Sequence, residues 1–163
     1  MRKKIFFVLF IIGVSFTQAQ VFKGKGDKKI QIGANLQDGA RGINTTFDLG
    51  LGENISVGLS GTYILGVKDD AKVKFKDGFD LKARFNANIG SVLAIDDNLD
   101  VYPGLHLGLK NFGGHLGVRY FFSDGFGVYT EFNVPLAKYD SNIVGFEKIH
   151  NQFSVNLGAV FNL

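Results

Sequence analysis

The stretch Gln152-Phe153-Ser154-Val155-Asn156-Leu157-Gly158-Ala159-Val160-Phe161-Asn162-Leu163 alternates without a break. Phe153, Val155, Leu157, Ala159, Phe161 and Leu163 share one side; Gln152, Ser154, Asn156, Gly158, Val160 and Asn162 share the other. Successive side chains of a strand point to opposite faces, so this is a strand with one apolar face. Left at an open sheet edge it would invite pairing with other chains. Similar two-faced stretches recur upstream, and the simplest closure is a barrel in which the last strand pairs with the first.

Working back from that strand, the pattern predicts eight in all: 29–37, 42–51, 55–66, 79–90, 99–110, 114–122, 126–136 and 152–163. Most exceed the ~5 to 6 residues usual in soluble sheets and match the ~9 to 11 of a tilted membrane-crossing strand. Gly52-Glu53-Asn54 and Ser123-Asp124-Gly125 read as tight turns and Ile95 to Asn98 as a compact one, all on one rim. The long, charged segments 67–78 and 137–151 follow odd-numbered strands and fall on the opposite rim. Short turns on one rim and long loops on the other is the arrangement of small membrane barrels. The expected fold class is therefore all-β, an eight-stranded antiparallel up-and-down transmembrane β-barrel over residues 29–163.

Two constructions share the alternation: a soluble cup with apolar residues inside and a membrane barrel with them outside. Glycine discriminates, because the polar face holds Gly33, Gly50, Gly58, Gly66, Gly90, Gly104, Gly108, Gly117, Gly127 and Gly158, while the apolar face has chiefly Gly61. The interior of an eight-stranded barrel is only just wide enough for side chains, so small residues belong there. Charge agrees: Asp48, Asp80, Lys82, Arg84, Asp100, Lys110, Arg119 and Glu131 all lie on the polar face. Each basic residue facing lipid would cost up to ~2 to 4 kcal/mol at the midplane. These eight residues are expected to form a lumenal charge network that plugs the barrel. Pairing across the Ser123–Gly125 turn sets Arg119 opposite Tyr129 and diagonal to Glu131, which predicts an Arg119–Glu131 salt bridge. A lumenal change such as Asn86→Ser is expected to be nearly silent. Outward aromatics at Tyr63, Phe79, Tyr120, Phe122, Phe126 and Phe153 sit near strand ends, as interface girdles do.

Residues 1–19 read as a cleaved signal peptide: Arg2, Lys3 and Lys4 precede an apolar run from Ile5 to Phe16, and Thr17-Gln18-Ala19 supplies a small-residue cleavage point. Residues 20–28, rich in Gly and Lys, read as a flexible N-terminal segment. The three basic residues of the signal account for the formal charge of +3, leaving a neutral mature chain with no basic surplus to attract nucleic acid. There is no cysteine, so disulfides contribute nothing and a lipid-anchored terminus is disfavoured.

With these residues in view, the chain resembles the small outer-membrane β-barrels of the OmpA, OmpX and OmpW type. Phe153, Val155, Leu157, Phe161 and Leu163 resemble the C-terminal assembly signal of such barrels, which commonly ends on an aromatic residue where this chain has Leu163. The stretches Phe79-Asp80-Leu81-Lys82-Ala83-Arg84-Phe85-Asn86-Ala87-Asn88, Asn111-Phe112-Gly113-Gly114-His115 and Asn133-Val134-Pro135-Leu136-Ala137 resemble an uncharacterised family of small barrel proteins of Gram-negative bacteria. The resemblance implies export to the outer membrane. It also implies contact with outer-membrane lipids including lipopolysaccharide, and recognition of the closing strand by the barrel-assembly machinery. It brings no activity, since fold does not confer function.

No nucleophile, base and orienting carboxylate come together in the sequence, so neither an enzyme nor a cofactor is expected. His106 and His115 would face each other if Lys110-Asn111 formed a two-residue turn, but two histidines lack the further ligands of a zinc site. His150 stands at the foot of the last long loop. The loop charges Asp69, Asp70, Lys72, Lys74 and Lys76 suit a solvated hairpin or contact with lipid phosphates. Tyr139, Ile143, Val144, Phe146 and Ile149 suit a flap over the barrel mouth. The leading expectation is an outer-membrane barrel with a structural or surface-interaction role. The alternatives are a secreted, soluble, lipocalin-like barrel holding an apolar ligand and a lipid-modifying barrel enzyme. Oligomeric state is not encoded in these patterns.

Overall fold

In the computed structural model, residues 21–67, 75–139 and 147–163 are described. The signal-peptide reading, and the loop residues Asp69, Asp70, Lys72, Lys74, Ile143, Val144 and Phe146, lie outside them. The chain forms eight strands: β1 (Lys28–Gln37), β2 (Ala40–Gly50), β3 (Ile55–Val67), β4 (Phe79–Ala87), β5 (Leu99–Gly108), β6 (Asn111–Ser123), β7 (Phe126–Lys138) and β8 (Ser154–Asn162). Each pairs antiparallel with its sequence neighbours, and β1 pairs with β8 from Lys29↔Asn162 to Gln37↔Ser154, closing the barrel. Closure satisfies the edge groups of the alternating C-terminal strand, which an open sheet would leave exposed.

The facing assignment holds around the barrel. Phe85 is 47% exposed, Leu105 48% and Phe132 41%, whereas Arg84 is 4% and Arg119 0% exposed. Most large apolar residues lie outside and the buried set is chiefly polar, with Ile64, Tyr102, Phe121, Tyr129 and Val160 the inward exceptions among the strands, so the lumen is not an apolar ligand cup. The fold places β-branched and aromatic residues outward at period two, which sets the register as well as the face. At the rim carrying the chain ends, Tyr120, Phe122, Phe126 and Phe161 form a run of ring contacts with centroids 5.5 to 6.2 Å apart.

Four local features differ from the sequence reading. First, β4 stops at Ala87 and the β4–β5 connection carries a helical turn at Gly90–Leu93, so it is not a minimal turn. Gly90 leaves the strand because its amide is taken by Asp100 Oδ1 at 3.3 Å, and a Cβ there would press on the Asp100 backbone. Second, β5 ends at Gly108, because Leu109 N–H donates to Leu81 on β4 and not to β6. β6 therefore begins at Asn111, three residues before the expected start, and Leu107 pairs with Phe112. Third, residues 21–27 are not a free lead-in. Val21 is buried against Phe121, Tyr129 and Val160, while Gly26 and Asp27 exchange backbone hydrogen bonds with Gly50. Positive φ at Gly24 and Gly26 lets this segment fold back across the barrel end. Fourth, Lys110 lies half-buried in the β5–β6 turn, and among the described residues the lumenal ion pairs do not include it.

The polar lumen as candidate functional site

Barrel closure brings inward-facing residues from all eight strands to one axis, and three of the large rings on β5 and β6 rest over a glycine of the facing strand. Tyr102 lies across from Gly117, His106 across from Gly113, and His115 across from Gly104. A Cβ on Gly117 would overlap the Tyr102 ring, and one on Gly104 would overlap His115. Gly117→Leu is therefore expected to drive Tyr102 off its site and destabilise the barrel by about 1 to 3 kcal/mol, read as a lower urea midpoint of unfolding.

At the rim of the chain ends, Lys29 Nζ lies 2.7 Å from Asp27 Oδ2 and donates to Asn162 Oδ1 at 2.6 Å. This buried pair was missed in the sequence, where Asp27 reads as part of an unpatterned lead. At mid-barrel, Arg119 donates to Asp100 Oδ2 at 2.8 Å, Asn88 Oδ1 at 2.7 Å and Asp48 Oδ2 at 3.3 Å. Its guanidinium stacks 3.9 Å from the centroid of Tyr102, whose hydroxyl accepts from Gln31 at 2.9 Å. Arg84 donates to Glu131 Oε2 at 2.7 Å and sits 3.2 Å from Asp48 Oδ1. Asp48 thus joins the two arginines, and Arg119, Arg84 and Tyr102 fill the centre of the lumen. All these side chains are at most a few per cent exposed, so each charge depends on its partners.

The expected Arg119–Glu131 salt bridge is absent. Arg119 is opposite Tyr129 as predicted, but its guanidinium turns across the lumen to Asp100 and Asp48, and Glu131 is engaged by Arg84. In a barrel this narrow the opposite wall is as near as the diagonal neighbour, and planar guanidinium groups take the partners that offer several acceptors. Asn86 is likewise not a spare position: it is fully buried, donates to Ser56 Oγ, and its Oδ1 lies 2.7 Å from His115 Nε2 and 3.2 Å from Arg84 Nε. Asn86→Ser removes these contacts and is no longer expected to be silent.

His106 and His115 are not directly opposite, because of the shifted β5–β6 register, yet their rings stack with centroids 5.6 Å apart. Each leans over the glycine facing it. His115 Nε2 lies 2.7 Å from Asn86 Oδ1 and 3.3 Å from Arg84 Nη2, and the two Nδ1 atoms are 3.4 Å apart. Among the described residues no group of three or more His, Cys, Asp or Glu side chains converges to hold a metal. Farther along the axis, Lys82 Nζ lies 3.7 Å from Asp80 Oδ2.

His150 occupies the rim of the long connections, in a helical turn at Glu147–His150. Its Nε2 donates to the Asp77 carbonyl at 2.7 Å and its own carbonyl accepts from Asn111 Nδ2 at 2.7 Å, clasping the two long connections to the start of β6. Burial lowers the His150 pKa, opposed by the Asp77 carbonyl. The unfolded imidazole gains its proton near pH 6.5, whereas the folded one stays neutral to lower pH. Stability is thus expected to fall as pH drops below about 6.5 towards the depressed native value, and His150→Gln should flatten that part of the urea-midpoint profile.

The backbone structure of the Yersinia pestis outer membrane protein Ail, solved in a phospholipid bilayer nanodisc, is similar at a TM-score of 0.46 and 16% identity, covering 85% of this chain and 100% of that one. No curated protein matches the sequence. The chain belongs to the family of unknown function DUF6646, whose model matches residues 11–163.

Proposed function

We propose that this chain is an integral outer-membrane β-barrel, exported through its cleaved N-terminal signal, with a plugged interior and a structural or surface-interaction role. One observation carries the reading: the exterior is a continuous apolar surface, while Asp48, Arg84, Asp100, Arg119 and Glu131 are enclosed. In water a surface of this extent is an aggregation liability; against hydrocarbon it is the favoured arrangement, with each strand paired to both neighbours around the closed barrel. The crossing of Arg84, Arg119 and Tyr102 at mid-lumen supports a closed barrel over a diffusion pore. In this reading the partners are outer-membrane lipids including lipopolysaccharide around the apolar belt, and the barrel-assembly machinery at Phe153, Val155, Leu157, Phe161 and Leu163. The histidines serve packing and hydrogen bonding, not catalysis.

The test is the behaviour of the native protein in the cell envelope. It is expected to stay with the membrane pellet through alkaline carbonate extraction, and unboiled samples should migrate differently from boiled ones on a denaturing gel. Release by carbonate without detergent, together with identical migration, would favour a secreted soluble barrel.

A further inference from the structure

At the rim that carries the chain ends, one of the connections between strands is unlike the others. Gly52-Glu53-Asn54 and Ser123-Asp124-Gly125 are polar, whereas Val92-Leu93-Ala94-Ile95 in the β4–β5 connection holds no polar side chain. Val92 is 65% exposed, Leu93 46% and Ile95 67%, so the barrel's own packing does not take them up. Ala94 closes the helical turn in the left-handed region at φ 48°, its N–H donating to the Gly90 carbonyl at 3.1 Å. Glycine is the usual residue at such a position and would relieve the strain. Alanine instead keeps 92–95 an unbroken apolar run.

Two contacts fix how the turn is rotated. Gly90 packs on Asp100, whose Oδ1 accepts its N–H, and so marks the lumenal side. Ser91 Oγ donates to Asn54 Oδ1 at 3.2 Å and marks the side of the β2–β3 turn. At about 3.6 residues per turn, Val92 lies nearly opposite Gly90, on the face turned away from the lumen. The outward apolar surface reaches this turn from both flanks, through Ile55 beside Ala87 and through Leu99 beside Tyr120. Asp96 then returns the chain to β5, its Oδ1 accepting from the Asn98 N–H at 2.7 Å and its carbonyl from the Leu99 N–H at 3.1 Å. The exposed run is thus continuous with the apolar belt and bounded by the carboxylates of Asp96 and Asp97. Three side chains are too few for a second copy of the chain, since a stable protein interface buries about 800 Å² per partner. Continuity with the belt points to lipid.

We propose that Val92, Leu93 and Ile95 insert into the boundary between headgroups and acyl chains of the leaflet on the chain-end side, anchoring that rim of the barrel. The proposal rests on the membrane reading and adds to it a lipid contact made by a turn and not by the strands. It is tested on the unmodified protein in phosphatidylcholine nanodiscs, by following the methyl signals of Val92, Leu93 and Ile95 with those of Leu105 as the reference for the belt. A lipid nitroxide near the headgroup end of the acyl chain should broaden the three turn residues more than a nitroxide near the methyl end, and the order should reverse for Leu105. A water-soluble gadolinium chelate should spare all four. If Leu105 follows this pattern while the turn methyls are broadened chiefly by the chelate, or by neither lipid nitroxide, the anchor is overturned and the membrane reading stands. Broadening of Leu105 by the chelate would overturn both.

Discussion

Arg119→Ala should destabilise the barrel by about 3 to 5 kcal/mol, because it leaves Asp100 and Asp48 buried with their main or shared cation removed. The identity of the rescuing partner is the sharper part of the expectation. Adding Asp100→Asn should recover part of the loss, since the stranded carboxylate becomes a neutral amide that keeps its bond to Gly90 through the remaining oxygen. Adding Glu131→Gln should recover none, and should cost further stability by weakening the partner set of Arg84. The reverse holds for Arg84→Ala, which Glu131→Gln should partly relieve. These comparisons are read as unfolding midpoints of the barrel in lipid vesicles, arranged as double-mutant cycles. Relief of Arg119→Ala by Glu131→Gln, with none from Asp100→Asn, would contradict the ion-pair assignment.

Leu105→Arg should block or slow folding into lipid vesicles and cost up to about 2 to 4 kcal/mol if assembly succeeds, the penalty for a guanidinium near the bilayer midplane. Leu105 sits in mid-β5, outward, between Phe85 on β4 and Gly114 on β6. No acidic residue lies at those facing positions to compensate it. Leu105→Phe keeps the outward face apolar and should fold normally, separating the charge effect from a general intolerance at that site. Equal folding yields for the two variants would argue that this face meets water.

Much of the barrel was legible in the sequence because two independent requirements impose the same period of two. The exterior of β8 needs Val155, Leu157 and Phe161 on one side, and the confined interior needs Ser154, Asn156 and Gly158 on the other. Glycine's bias to the polar face then identified the interior, and its reason is visible in Tyr102, His106 and His115, each resting over a facing glycine. The ion-pair partners were not legible. Arg84 and Glu131 are 47 residues apart and Arg119 and Asp48 are 71 apart, meeting across the lumen where no local spacing encodes them. The β5–β6 register was missed because Leu109 is drawn to Leu81 on β4, a choice made by the neighbouring strand. Residues 21–27 carry no alternation because they fold as a glycine-turned cover and not as a strand, so Val21 and Asp27 left no periodic signal of their burial.

The absence of cysteine lets single labels report the exterior directly. Spin labels introduced at Leu105→Cys, Leu116→Cys and Phe132→Cys, in barrels folded into phospholipid vesicles, would be measured for collision with oxygen and with a water-soluble nickel chelate. High oxygen and low nickel accessibility at all three positions is the result expected of side chains in hydrocarbon. Ready access of the nickel chelate to all three would contradict a lipid-facing apolar surface and, with it, the membrane-spanning barrel.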